Sequence, residues 1–428
     1  MPIYNPQSAI RNPPIPMSSP DLTDADRQAV LEVLQTPSLS MGPRILEFEQ
    51  AFCDFSGRKH AIGVSSGTAG LHLCVRAAGI GAGDYVITTP FSFVASANVL
   101  LFENAVPGFV DVDPCTGNIN PELVADAAKN IREYLPRRMP PVTRHTPHAS
   151  LKAILPVDVF GQPADLDPMV AKYATTFRKV AQEFGLKVIK DSCEALGAEY
   201  KSRKAGTLGD YGVFAFYPNK QITTGEGGVI VTDDDQAADF MRAVGDTWLQ
   251  HTCLGYNYRL DEMSAALGAL QMTRLDAQHR EKHPDELLKK REQVAAWYTE
   301  RLAEIPGVET QYVEPFTTRL SWFVYVTRFE IHVDRDALAS SLEARGVPVR
   351  PYFAPIHLQP YMVERFGYRP GDFPVSEDLG GRGLALPFSG VMHSIGKNTL
   401  MSEAQVEHVC QRLREALRAG CTASGKTP

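Results

Sequence analysis

The chain has 428 residues, of which 44% are hydrophobic and 22% charged, and a formal net charge of −7 without acidic or basic blocks. Length and composition are typical of a globular protein with one large and one smaller domain, and the lack of basic clusters argues against a nucleic-acid surface. No segment approaches the ~18 uncharged apolar residues of a membrane helix, and the Pro-rich N-terminus lacks the basic start and apolar run of a signal peptide. Seven scattered cysteines without Cys-x-x-Cys spacing argue against a zinc site or disulfide framework, so we expect a cytoplasmic protein without bound metal.

From about residue 60, apolar strand-like runs alternate with helical stretches. This alternation predicts an α/β domain with a mainly parallel sheet, because parallel strands need helix-bearing crossovers. A Pro- and Arg-rich stretch at 130–150 is typical of a surface loop. We expect an N-terminal arm over 1–20 and a large domain over 21–279, with strands at 61–64, 85–88, 108–112, 153–156, 187–190, 212–216 and 228–232.

The character of the sequence changes after about residue 280, where a charged stretch predicts the exposed start of a long helix. Further on we expect a strand over 322–331, a helix over 336–345 and a strand over 347–352. A last helix opens with Ser402-x-x-Gln405, the pattern of a capping box. The sequence therefore predicts a smaller α+β domain over 280–418, followed by a frayed tail over 419–428.

Three segments of the large domain carry residues suited to chemistry. The first is the turn from Ser65 to Gly70, which follows a strand and opens a helix whose free amides and positive dipole suit a phosphate. Asp191 ends an apolar strand, at the sheet edge where α/β proteins bind ligands. Lys220 follows another strand, within an aromatic- and Gly-rich turn that suits a covalent lysine.

Each segment alone has an ordinary structural explanation: a tight turn, a helix-capping aspartate, or an exposed lysine beside a glycine turn. Their order changes this balance, because together they offer a partner to the phosphate, the ring nitrogen and the aldehyde of pyridoxal 5'-phosphate. We interpret the set as a cofactor site.

The chain resembles the DegT/DnrJ/EryC1/StrS family of pyridoxal-phosphate-dependent sugar aminotransferases, which have the fold-type I architecture. The resemblance extends over about 20–417 and rests on motifs that occur in order along the chain. These are Ser66-Gly67-Thr68-Ala69, Thr89-Pro90-Phe91-Ser92-Phe93, Gly161-Gln162-Pro163-Ala164-Asp165, Asp191-Ser192-Cys193-Glu194-Ala195-Leu196-Gly197, Phe216-Tyr217-Pro218-Asn219-Lys220, Thr223-Thr224-Gly225-Glu226-Gly227-Gly228 and Gly255-Tyr256-Asn257-Tyr258-Arg259.

The resemblance implies a role for each matching position. Lys220 matches the covalent anchor and proton shuttle, and Asp191 matches the partner of the pyridine nitrogen. Gly67 and Thr68 match the phosphate-binding turn. Phe93 matches the aromatic residue that stacks on the cofactor ring, with core packing as the alternative for this side chain.

The resemblance also implies a homodimer with shared active sites. Asn257 and Arg259 lie in the segment that reaches the phosphate of the neighbouring subunit in the family. Glu194 stands near the cofactor, where many members carry Gln or His, and resembles the perosamine-synthase branch. Ala215 stands where many members carry a serine that binds the phosphate.

The expected reaction converts a keto-sugar, linked to a nucleotide and carrying its ketone at C3 or C4, into an amino-sugar with glutamate as amino donor. Alternatives are a cyclitol (inosose) aminotransferase, a pyridoxal-phosphate-dependent sugar dehydratase and a non-catalytic regulator that binds the same cofactor. Relatives that are dehydratases replace the lysine with histidine, so Lys220 favours amino transfer over dehydration. The sugar and the carbon that is aminated are not readable from the sequence.

Overall fold

The structure is a computed structural model that describes residues 15–139, 150–165, 177–246, 254–275, 286–388, 391–393, 397–399 and 401–419. Most of the predicted arm, the middle of the predicted 130–150 loop, the start of the predicted charged helix and nearly all of the predicted tail lie outside these ranges. Among the described residues, no helix is long and apolar enough to cross a membrane.

Helices and strands alternate through the first two thirds of the chain. The strands are β1 (His60–Val64), β2 (Tyr85–Thr88), β3 (Val106–Phe109), β4 (Leu151–Leu155), β5 (Lys187–Asp191), β6 (Glu199–Tyr200), β7 (Arg203–Lys204), β8 (Tyr211–Ala215), β9 (Gly228–Thr232), β10 (Val308–Glu309), β11 (Thr317–Arg319), β12 (Tyr325–Phe329), β13 (Gly383–Leu386), β14 (Val391–His393) and β15 (Lys397–Thr399). The α-helices are α1 (Asp24–Leu34), α2 (Pro43–Ser56), α3 (Gly67–Ala77), α4 (Ala95–Phe102), α5 (Pro121–Lys129), α6 (Phe177–Phe184), α7 (Asp235–Gly245), α8 (Glu262–Leu275), α9 (Leu287–Leu302), α10 (Arg335–Ala344), α11 (Pro360–Phe366), α12 (Pro374–Arg382) and α13 (Glu403–Arg418).

The central sheet has seven strands in the order β1-β9-β8-β5-β4-β2-β3. Only β9 in this sheet runs antiparallel to its neighbours. The predicted mainly parallel α/β architecture is therefore confirmed, and every strand predicted before residue 280 has a counterpart in this sheet. Because the other six strands run in one direction, their carboxyl ends meet at one edge.

The largest shift from the predicted strand bounds in this sheet is at β3. The strand expected at 108–112 is β3, which begins at Val106 and ends at Phe109. The structure includes Pro107 in the strand, although proline has no amide to donate. Since β3 lies at the edge of the sheet, one side of it needs no partner and the proline is tolerated.

The C-terminal part forms a second layer of structure. An antiparallel sheet with the order β10-β12-β13 packs with α9, α10 and α13 around an apolar core of its own. The capping box at Ser402 is confirmed, because its side chain accepts a hydrogen bond from the Gln405 amide and the Gln405 side chain accepts one from the Ser402 amide. The strand predicted at 322–331 is β12, which is shorter.

The strand predicted at 347–352 is wrong. This stretch makes one isolated bridge, between Arg350 and Ala385, instead of a ladder. Pro348 precedes Arg350 by two residues and Pro351 follows it directly. Because proline has no amide to donate, neither can extend the pairing beyond Arg350 into a ladder. The segment packs against the C-terminal core through the buried side chains of Val347 and Val349.

Candidate active site

A cavity of about 530 Å³ opens at the edge of the sheet where β1, β5 and β8 end. The strand register brings the ends of β1 and β8 to the same level, since Val64 at the end of β1 and Ala215 at the end of β8 both pair with Gly228 of β9. The residues predicted for the cofactor that line this cavity are Gly67, Thr68, Phe93, Asp191, Glu194 and Lys220.

The wall formed by the start of α3 suits an anion. Ser66 caps the helix, because its hydroxyl accepts from the Ala69 amide at 3.1 Å and its carbonyl accepts from the Gly70 amide at 3.0 Å. Helix geometry leaves the amides of Gly67 and Thr68 without intrahelical acceptors, at the positive end of the dipole. These two amides are therefore suited to a phosphate group.

Gly67 is required by close packing rather than by its backbone angles. A Cβ at this position would lie 2.8 Å from both the Ala215 Cβ and the Cys193 Sγ, closer than real side chains approach. The small residues at 67 and 215 thus let β5, β8 and α3 converge. Ala215 has no hydroxyl to offer a ligand, so the backbone amides at the start of α3 are the donors on this wall that suit an anion.

Asp191 is a buried carboxylate at the end of β5, 7% exposed, and it lines the cavity. Its neighbours Lys190 and Ser192 point to the other face of the strand, where both bind the buried Asp158. The Asp191 Oδ1 accepts from the Cys193 amide at 3.2 Å. Burial raises the pKa of Asp191, so a cation placed against this carboxylate would be strongly favoured.

Lys220 lies in a tight turn after β8. The turn is closed by hydrogen bonds from the Lys220 amide to the Tyr217 carbonyl at 2.9 Å and from the Thr224 amide to the Phe216 carbonyl at 3.1 Å. The Lys220 side chain is 13% exposed, and its Nζ lies 3.8 Å from the Glu194 Oε1. The same Nζ lies 3.9 Å from the centre of the Phe323 ring. The amine is thus withdrawn from solvent and faces the cavity.

Glu194 is a second buried carboxyl group of the site. Its Oε2 accepts from the Phe160 amide at 2.9 Å. Burial raises the pKa of Glu194 to about 7, against the opposing effect of the Lys220 charge. A carboxyl group with this pKa exchanges its proton near neutral pH.

Aromatic side chains surround the mouth of the cavity. Phe93 and Tyr217 are 64% and 53% exposed, so the alternative of core packing for Phe93 is wrong. Phe323, Tyr352 and Phe353 come from the C-terminal part and also line the cavity. Sequence reasoning missed these three, since no local motif marks them, whereas Tyr217 lies inside a motif already quoted.

Asn257 and Arg259 do not line this cavity. Arg259 instead forms an ion pair with Asp246, with 2.9 Å between Nη1 and Oδ1. Its backbone bridges to Val64, and that of Asn257 bridges to Asp246. Arg259 lines a separate hollow of about 630 Å³ on the surface of the molecule.

The residues of the cavity fit pyridoxal phosphate. A helix start with free amides, a buried carboxylate and a shielded lysine amine surround one space. The buried Oδ1 of Asn219, which also lines the cavity, has no protein hydrogen-bond partner among the described residues. An unsatisfied buried acceptor is expected where a polar ligand binds.

Comparison with known proteins agrees with this geometry. The sequence profile of the DegT/DnrJ/EryC1/StrS aminotransferase family matches residues 20–414. GDP-perosamine synthase of Caulobacter vibrioides is 35% identical over 414 residues, which cover 95% of this chain and 99% of that protein.

Solved structures give the same result. The structure of S. venezuelae DesV in complex with a ketimine intermediate has a TM-score of 0.75 and 29% identity, covering 91% of this chain and 93% of that one. The structure of DesI in the presence of its TDP-sugar product has a TM-score of 0.76 and 28% identity, covering 95% and 94%. The chain therefore belongs to the DegT/DnrJ/EryC1/StrS family of pyridoxal-phosphate-dependent sugar aminotransferases.

Proposed function

We propose that the protein transfers an amino group from glutamate to the ketone of a nucleotide-linked 3-keto or 4-keto sugar, with pyridoxal phosphate as cofactor. One observation carries the proposal: the amides of Gly67 and Thr68, the carboxylate of Asp191 and the amine of Lys220 border a single cavity. These are the groups that the phosphate, the ring nitrogen and the aldehyde of this cofactor require.

The residues of the chain divide the work of holding the cofactor. Gly67 and Thr68 would bind the phosphate through their amides, and the exposed ring of Phe93 at the mouth would contact the cofactor ring. Asp191 would bind the ring nitrogen and keep it protonated. Lys220 would supply the covalent anchor through Nζ.

Lys220 would have a second task when cofactor and amino acid are bound. Its free Nζ would act as a base that removes the proton from the α-carbon and later returns a proton on the product side. When bound, the cofactor supplies an electron-withdrawing ring that stabilises the carbon left without its proton. Glu194, 3.8 Å from this Nζ, holds or releases a proton near neutral pH and so adjusts the charge beside the base.

The lining of the cavity also bears on the second substrate. Among the described residues that line it, Lys220 is the only cation. A diphosphate-linked sugar and a glutamate both bring further negative charge, which the described part of this wall does not neutralise. The names of relatives support this substrate class, since one makes GDP-perosamine and another was solved with a TDP-sugar product.

A homodimer would supply the missing charge. Arg259 stands on the surface, outside the cavity of its own chain, beside a hollow with exposed apolar residues such as Met41 and Leu46. We propose that this surface meets a second copy and that Asn257 and Arg259 reach the phosphate region of the partner. Two identical shared sites per dimer follow from two-fold symmetry.

The experiment is a half-reaction followed by a substrate screen. The purified protein with pyridoxal phosphate and glutamate should form 2-oxoglutarate in a stoichiometric burst and lose its yellow absorption. Nucleotide-linked 3-keto and 4-keto sugars and scyllo-inosose are then offered in turn, with amine formation measured by mass spectrometry. If only scyllo-inosose is turned over, the substrate is a cyclitol and the proposed keto-sugar is wrong. If the protein binds the cofactor but forms no 2-oxoglutarate, the proposed amino transfer is refuted.

A further inference from the structure

Arg291 is a buried cation on α9 whose hydrogen bonds go to main-chain carbonyl groups. The residue is 5% exposed. Its Nη1 donates to the carbonyls of Trp322 at 2.9 Å and Phe323 at 3.3 Å. Its Nη2 donates to the carbonyl of Lys220 at 2.8 Å. The guanidinium thus bridges two chain segments that are far apart in sequence.

Keeping this charge inside the protein is costly. Burial lowers the pKa of Arg291 to about 10, while the charge of Asp21 opposes the shift. Asp21 is itself bound to Arg274 at 2.7 Å and Lys290 at 3.2 Å. A buried cation whose hydrogen bonds end on carbonyls is more costly than an apolar residue of the same size. Such costs are expected where a residue serves the site rather than the core.

The two bridged segments meet again at their side chains. The Lys220 Nζ lies 3.9 Å from the centre of the Phe323 ring, inside the cavity. Arg291 therefore binds the main chain of both Lys220 and Phe323, whose side chains are in contact. Gln221 adds a parallel connection, because its Nε2 donates to the Glu194 carbonyl at 2.6 Å and to the Ser321 Oγ at 2.8 Å.

We propose that Arg291 is a positioning residue that fixes the Lys220 turn against the Phe323 segment and thereby aims the lysine amine into the cavity. The inference rests on the proposed function of Lys220. The planar fork of arginine presents separate donors to the two segments, whereas an ammonium group is a single point charge on a flexible stem. Lysine at this position cannot bind both segments in the same way.

The test uses Arg291→Met, Arg291→Lys and a matched control, Arg301→Met. Arg301 lies on the same helix but pairs with Glu403 at 2.5 Å and Glu407 at 2.8 Å on α13, away from the cavity. Three quantities are measured: the dissociation constant of pyridoxal phosphate, the rate at which an acylating reagent modifies Lys220 in the cofactor-free protein, and kcat with KM. Thermal unfolding of each variant reports on the fold.

We expect Arg291→Met to weaken cofactor binding about tenfold or more, because the loss of a residue that orients a binding group commonly has an effect of this size. The acylation rate of Lys220 should change and kcat should fall more than KM rises. Arg291→Lys should be intermediate in all three, and Arg301→Met should stay within about twofold of the unmodified protein although its melting temperature falls.

Several outcomes would overturn the inference. A folded Arg291→Met protein with unchanged cofactor affinity and Lys220 reactivity would do so, as would an equal loss in Arg301→Met. If Arg291→Met does not fold, Arg291→Lys decides, and unchanged values for that variant overturn the proposal. Borohydride reduction followed by peptide mapping separates the positioning role of Arg291 from the anchoring role of Lys220. A cofactor trapped on a residue other than Lys220 would refute the proposed function itself.

Discussion

The amine of Lys220 lies 3.8 Å from the Oε1 of Glu194, and the two side chains are 13% and 8% exposed. At this separation, the charge of Lys220 favours the ionised form of Glu194 and opposes the effect of burial. The Glu194 carboxyl has its pKa raised to about 7 by burial. The pair therefore makes the environment of the lysine sensitive to pH within the neutral range.

The first prediction concerns stability and pH in the cofactor-free protein. Burial raises the pKa of Glu194 from 4.5 to about 7, so between these values the unfolded chain loses a proton that the folded chain keeps. Stability contributed by the protonated group is complete below pH 4.5 and declines as pH rises to about 7, by on the order of 3 kcal/mol. The free energy of unfolding of Glu194→Gln, relative to that of the unmodified protein, should therefore be higher at pH 8 than at pH 4.5.

Urea unfolding of both proteins at the two pH values measures this difference. Glu330→Gln on the surface, where the carboxyl is 54% exposed, is the control and should show no such gain. A Glu194→Gln protein whose stability relative to the unmodified protein is the same at pH 4.5 and pH 8 would contradict the buried titration.

The second prediction concerns the covalent anchor. Lys220→Ala should abolish the visible absorption of the bound cofactor and lower turnover by roughly 10³-fold, since both the anchor and the positioned base are lost. Absorbance spectra and 2-oxoglutarate formation measure the two effects. Lys289→Ala, at a side chain that is 72% exposed, should match the unmodified protein. Full turnover of Lys220→Ala would refute the assignment.

The third prediction separates charge from shape at Asp191. Asp191→Asn retains the size of the side chain but loses the charge that holds a proton on the ring nitrogen. Breaking a buried charge pair costs about 3–5 kcal/mol, so kcat for the glutamate half-reaction should fall roughly 10²- to 10⁴-fold while Lys220 still anchors the cofactor. Stopped-flow absorbance measures this step. A half-reaction at the normal rate would exclude the proposed role of the carboxylate.

The fourth prediction tests the packing at the phosphate turn. Gly67→Ala places a Cβ 2.8 Å from the Ala215 Cβ and the Cys193 Sγ, so α3 must shift away from β5 and β8. Overpacking of this kind costs about 1–3 kcal/mol, and cofactor affinity should fall with it. Gly81→Ala is the matched control because its Cβ meets no atom within 4 Å. Fluorescence titration and thermal unfolding give both quantities, and equal behaviour of the two variants would argue against the close approach.

The fifth prediction tests the proposed shared site. Lys220→Ala and Arg259→Ala should each be inactive alone. A refolded equimolar mixture should recover roughly a quarter of the native sites, because half of the dimers are mixed and each mixed dimer has one intact site. Activity of the mixture, with gel filtration to confirm the dimer, measures this recovery. No recovery in a mixture that forms dimers would mean that Arg259 does not act across subunits.

Much of the fold was predictable from local patterns. Short apolar runs separated by helical stretches located β2 and β9 with their full bounds, and a capping box located the start of α13. The stretch around Arg350 was predicted as a strand but makes one isolated bridge, because the local sequence does not reveal whether a pairing partner exists. Strand pairing depends on amides and on distant segments, which a local pattern does not record.

The sequence by itself singled out Lys220, Asp191 and the turn from Ser65 to Gly70 as candidates, because each follows a strand and is marked by its immediate neighbours. The tertiary structure alone decided that Phe323, Tyr352 and Phe353 close the same cavity and that Arg291 reaches the Lys220 turn. These residues come from the C-terminal part, and their positions follow from how its elements pack against the sheet edge. Packing joins side chains that share no sequence motif, so only the folded chain brings them together.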